Sequence, residues 1–388
     1  MTLLAVTGQA TSLDGREAAV QATHKALERL GKRPVAFGFI VASYHFPFQQ
    51  ILSGITPLLG DTPLLGFSTT SEFSSDGVTR RSVVVTLVSG NELHARADWW
   101  PGFDIDSRNI TQKMIQAFQL EQTEGTLLVA ADGLNGDAGQ LCATLPTGNY
   151  RLAGCLAGGD LRRAYTSQIG GKKAGSGGLA AAFLSGEYAI GIGCNHAWLP
   201  VGSYFTITKS SGQLVMTLND QPANETYARL FGYTPQEWTA SPLNVLARLY
   251  PLGLEQDGQS QLLIRSPLRI ETDGSLRMNT LVSEGSVGHL MIGGVENCLQ
   301  STVEASHQAL AQLGECRPVL ALVLVDIAIQ MLLEAQPGSE LEAVRSVLGR
   351  EVPVVGGYTF GQIARTSAGI PQLLDQHITV IVLGEKNP

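Results

Sequence analysis

Three segments of this chain repeat one pattern, and the pattern limits what the chain can fold into. They read PLLGFSTTSEF from Pro63, YRLAGCLAGGDL from Tyr150 and VPVVGGYTFGQI from Val352. In each, a short apolar strand runs into a glycine: Gly66, Gly154 or Gly356. Small and hydroxyl residues follow, and then one acid or amide: Glu72, Asp160 or Gln362. An apolar run precedes each segment, at residues 34–42, 126–132 and 318–326, with a helix-compatible stretch between. Another strand follows, ending at Gly90, Gly186 and Gly384. Ahead of each unit apolar residues recur at helical spacing, at 16–30, 110–119 and 295–313.

The unit therefore reads α-β-α-β-turn-β, roughly 75–90 residues long. Continuous Val/Ile/Leu runs mark strands covered on both faces, and their alternation with helices predicts an α/β fold. The expected class is α/β, with repeated α-β-α-β-β units forming layered sheets and an α+β insertion in the C-terminal half. Residues 1–186 hold two units, near 15–90 and 106–186. Residues 187–388 hold the insertion, near 187–292, and the third unit, near 293–384. Within the insertion, runs 204–209 and 213–218 flank Ser210-Ser211-Gly212 as a hairpin. A helix is expected over 224–230, and strands over 261–270 and 275–282.

With 26 basic against 34 acidic residues, the net charge is −8 and no basic face forms. That argues against nucleic acid and anionic membrane as partners. The apolar stretch 318–333 contains Asp326 and Gln330 and is shorter than the ~20 residues a spanning helix needs. MTLLAVTGQA lacks the basic start of a signal peptide. The five cysteines are odd in number and form no CxxC pair, so neither a disulfide framework nor a zinc site is signalled, and a cytoplasmic location fits. GIGCNH (191–196) and GGKKAGSGG (170–178) lack the spacing of nucleotide-binding loops, and the histidines lack metal-ligand spacing. No cofactor and no metal are expected.

The segments GFSTTSEF, WLPVGSYFTITKSSGQLVMTLNDQPA and VPVVGGYTFGQIA, in that order, resemble the FIST family, whose members carry an N-terminal and a C-terminal FIST domain. The resemblance runs from about residue 30 to 384. It implies a sensory protein that binds a small ligand, with amino acids as the suggested class. No output domain is fused here, so signalling would pass to a separate protein. Two positions depart from the family pattern. Asp326-Ile327-Ala328-Ile329-Gln330 stands where relatives often carry a Cys and an Arg, and Gln362 stands where a Glu is common.

In α/β sheets, ligands gather beyond the carboxyl ends of parallel strands. Asp132, Asn135 and Asp326 lie at such ends, and the glycine bends should fall near the same rim. Gly66, Gly158, Gly159, Gly357 and Gly361 would let backbone amides approach a ligand. Ser68, Thr69, Thr70 and Thr359 offer hydroxyls, and Tyr358 a pocket wall. Glu72 and Asp160 could hold an ammonium group, and Gln362 a carboxylate or amide. The same residues also suit tight turns and helix caps. The reading favours a binding protein over an enzyme. Its alternatives are an enzyme using Glu72, Asp132, Asp160 or Asp326 as acid or base, and a scaffold without ligand. Cys155 reads as a small buried thiol before a nucleophile.

Overall fold

The computed structural model describes residues 2–160, 163–256, 262–365 and 369–386. The chain forms two compact units. The first comprises Met1–Asn195, Leu299–Leu373 and His377–Pro388; the second comprises His196–Cys298 and Leu374–Gln376. The first two sequence units and the third thus lie in the same compact body, with the insertion as the other.

The first unit is mixed α/β, with one arrangement occurring three times. Phe37–Ser43 pairs in parallel with Leu64–Thr69 across the helix Phe48–Leu59. Gly125–Ala131 pairs in parallel with Tyr150–Leu156 across Ala138–Thr144. Arg317–Asp326 pairs in parallel with Val354–Thr359 across Ile327–Leu332 and Ser339–Leu348. Each pair gains an antiparallel neighbour: Ser82–Ser89, Gly178–Gly186 or His377–Glu385. These strands are buried over nearly their whole length, as their unbroken apolar runs require. Their facing side chains, among them Phe39, Phe67, Leu128, Cys155, Leu322 and Ile381, make one core.

The expected simple turn after each glycine segment is not what forms. There the chain leaves its own sheet and adds a hairpin to another. Glu72–Ser74 and Gly77–Thr79 join the third sheet, with Glu72 opposite Gly357. Gln168–Gly170 and Lys173–Gly175 join the first sheet, with Ile169 opposite Gly66. Gly361–Arg365 joins the second sheet, with Ile363 opposite Gly154. Among the described residues, three six-stranded sheets result. Strands of three to five residues are too short to show a clear period of two, so the exchange leaves no pattern in the sequence.

The second unit is the α+β segment. Trp198–Ser211 pairs with both Val287–Gly293 and Leu214–Leu218, so the expected hairpin forms. The helix expected at 224–230 spans Ala223–Phe231. The short helix Pro235–Thr239 buries Trp238 against Tyr227 at a ring separation of 5.4 Å. Thr234 caps that helix: its hydroxyl accepts from Glu237 N, and Glu237 answers by accepting from Thr234 N at 2.6 Å. Thr234→Ala should lower the stability of this unit by about 1 kcal/mol. Urea unfolding followed by Trp fluorescence checks this; an unchanged midpoint would show that the cap is not needed.

Candidate functional site

The three glycine bends meet, but they meet one another. Gly158 N donates to Ser68 O at 2.8 Å, and Ser68 Oγ donates to Gly158 O at 2.6 Å. Thr70 N donates to Tyr358 O, and Tyr358 N to Ser71 O, both at 3.2 Å. Phe360 N donates to Leu156 O at 2.9 Å. Each bend is thus bonded to the other two. Such bonds satisfy backbone groups that burial would otherwise leave unpaired.

Most of the candidate residues are closed into this junction. Gly66, Gly158, Gly159, Gly357 and Gly361 are buried. Thr69 and Thr359 are fully buried and bond, three residues on, to the acid or amide of their own bend. Thr69 Oγ1 donates to Glu72 Oε1 at 2.9 Å, and Gln362 Nε2 donates to Thr359 Oγ1 at 3.0 Å. The far side of each partner is also matched. Glu72 Oε2 accepts from Ser82 N and Ser82 Oγ at 2.9 and 2.8 Å; Gln362 Oε1 accepts from His377 N at 3.2 Å. Burial pushes the Glu72 carboxyl up to about 7 against these donors.

The remaining carboxylates hold different backbone groups. Asp132 accepts from the amides of Leu134, Asn135 and Gly177 at 2.9–3.0 Å. Asn135 spans from Asp132 to Ala164 O. Asp326 caps its helix through Ala328 N at 2.9 Å. Cys155 is fully buried, and burial pushes its thiol well up.

The second bend differs. Ala157 stands where Thr69 and Thr359 stand in the other two: Thr69 pairs with Ser43, Thr359 with Asp326, and Ala157 N with Ala131 O at the equivalent strand end. No hydroxyl is there to hold Asp160 inward. Asp160 instead lines a cavity of about 550 Å³. Residues 44–47 form one wall and Asp160, Arg163 and Tyr165 the other. Tyr44 and His45 stack at 4.1 Å, and Ser43 Oγ lies 3.1 Å from His45 Nδ1. Reciprocal backbone bonds join Asp160 and Tyr165, and Arg163 Nε lies 3.7 Å from Asp160 Oδ2. The Arg163 end of this pair is exposed, and such a pair is worth about 0–1 kcal/mol.

A second cavity, of about 220 Å³, opens at the end of the third parallel pair. Tyr358 and Ser71 line it, with Gln330, whose Oε1 accepts from Thr70 Oγ1 at 2.7 Å. Sequence reasoning did not single out His45, Arg163, Tyr165 or Arg80. They sit in loops without periodicity. The one signal pointing to the cavity at Asp160 was the alanine at 157.

Residues 36–221 match the FIST N domain, and residues 223–365 match the FIST C domain. No match was found among curated proteins. Among solved structures, a cyanuric acid hydrolase from A. caulinodans aligns at 9% identity and a TM-score of 0.40, covering 99% of this chain and 100% of that chain. A likeness that remote is no guide to chemistry. No helix among the described residues is long and apolar enough to cross a membrane.

Proposed function

Because the chain belongs to the FIST family, we propose that it is a sensory protein whose ligand, a small zwitterion of the amino acid class, binds in the cavity at Asp160. FIST domains are sensory domains that bind small ligands in signal transduction. The observation carrying the finer reading is that Asp160 lines a cavity while Glu72 and Gln362 are shut against threonines. Asp160 takes the ammonium group, Arg163 the carboxylate, and the Tyr44–His45 stack covers the side chain. The three-fold recurrence of the βαβ pairing supports an internal repeat, of which the second copy has become the binding one. The protein works in the cytoplasm, and the occupied state is read by a separate signalling protein. For that, the ligand must favour one of two conformations over the other, since equal affinity for both shifts nothing.

Native mass spectrometry of the purified protein should reveal a co-purified small molecule, and thermal-shift screening with amino acids should identify its class. Asp160→Asn should weaken binding roughly 10- to 100-fold, the loss expected for one charged hydrogen bond. Titration calorimetry checks this. The site is refuted if no amino acid stabilises the protein, or if the variant binds as tightly as the parent.

A further inference from the structure

We propose that the cavity beneath Arg80 is a second ligand site, one that takes a small monocarboxylate with a short apolar tail. It stands independently of the site at Asp160, with other residues and a different ligand class.

The cavity lies where the strand Arg317–Asp326 ends and the hairpin 72–79 crosses it. Its uncharged polar lining side chains already have hydrogen-bond partners. Gln330 Nε2 donates to Ser71 Oγ at 3.0 Å, and the Tyr358 hydroxyl donates to the buried Glu340. Burial raises the Glu340 carboxyl, which leaves it less inclined to carry a negative charge. Ile327 and Met331 make the walls apolar. A guest is therefore offered hydrocarbon contact from the walls and charge from the exposed Arg80 and Glu334.

The positive charge at the mouth is Arg80. No hydrogen bond or ion pair joins its guanidinium to any described residue, although it is close enough to act electrostatically on Tyr358. The residue after it, Arg81, takes φ +62°, a left-handed conformation in a residue with a side chain. Such strain persists where the surroundings enforce it, and it concentrates at ligand clamps. Here the Glu72 bonds to Ser82 anchor the turn just past Arg81. A guanidinium free at the mouth of an apolar cavity matches a carboxylate, which it binds through two parallel N–H donors.

Glu334 also lines the cavity, exposed and without a cation partner among the described residues. Its charge admits a single carboxylate beside Arg80 and opposes phosphates and dicarboxylates. At about 220 Å³ the cavity suits a small solute.

The probe is 4-methylpentanoate, titrated calorimetrically into the full chain, with 3-methylbutylamine and succinate as comparators. The carboxylate should bind saturably at one equivalent, and neither comparator should bind. Arg80→Met should weaken binding roughly 10- to 100-fold, and Arg80→Lys should restore part of it. Arg80 is exposed, so both variants should unfold at the parent's temperature. Met331→Asp, which places a second negative charge in the wall at another exposed position, should also abolish binding. Absence of saturable binding to the parent at millimolar probe overturns the inference. So does equal binding by the parent and Arg80→Met, or tighter binding of succinate or the amine.

Discussion

Gly158→Val should unfold the three-sheet unit or destabilise it by more than about 3 kcal/mol. A side-chain carbon at this position would lie 2.5 Å from Tyr358 O, 3.2 Å from Thr69 Cα and 3.2 Å from Thr70 N. All three are backbone atoms of the other two bends. A flexible side chain could yield to the intrusion, but these atoms are held by reciprocal hydrogen bonds and cannot move singly. The valine must displace one bend from another and break the Gly158–Ser68 pair as it does so. Gly294→Ala is the control, because its added carbon would meet only the Asn297 side chain, at 3.4 Å. Soluble yield and urea midpoints for the two variants compare them directly. A Gly158→Val protein as stable as the Gly294→Ala protein would mean that the bends do not depend on one another.

Glu72→Gln should make the three-sheet unit more stable at pH 8 and nearly neutral in effect at pH 5. The folded protein holds the Glu72 proton to about pH 7, against an ordinary value of 4.5. An acid raised in this way favours folding fully below its unfolded value, and that contribution is lost as pH rises through its folded value. Between pH 5 and pH 8 the loss from this one carboxyl is about 2–3 kcal/mol. Glutamine removes it. The chain already contains the answer to whether an amide fits, because Gln362 makes the equivalent contacts: its NH₂ to Thr359 Oγ1, its carbonyl to the backbone N–H of His377. At position 72 the amide would donate to Thr69 Oγ1 and accept from Ser82 N in the same sense. Urea unfolding at several pH values should show the parent losing stability with rising pH more steeply than the variant. Parallel profiles for the two proteins would refute the assignment.

The sequence reading reached the secondary structure closely. The alanine and leucine spacing located the helices Gly15–Leu30 and Val295–Leu313, and the unbroken Val/Ile/Leu runs located the buried strands. These elements were legible because burial on one stripe or on two faces imposes a period on the sequence. Glycine 158 was legible as a special position, but its partners were not. A glycine in a bend looks the same whether a ligand or a neighbouring backbone comes close to it. Thr69 and Thr359 likewise read as free hydroxyls, because nothing local says that an acid or amide three residues on will turn back to meet them. Asp160 could be separated from Glu72 and Gln362 in advance only by noticing the missing hydroxyl at Ala157. Arg80 belonged to a short hairpin whose destination, another sheet, no local pattern records.

That destination carries a consequence of its own. Each sheet is completed by ribbon supplied from elsewhere in the chain: the first needs 168–175, the second 361–365, the third 72–79. A single βαβ block taken alone would leave one strand edge bare and one ribbon with nowhere to lie, and bare edges recruit other chains. If two molecules traded ribbons instead of each keeping its own, every pairing would be preserved and the product would be an intertwined dimer. The chain's own ribbon has the advantage only of being tethered close by, so local concentration, and not any difference in contacts, sets the balance between the two arrangements.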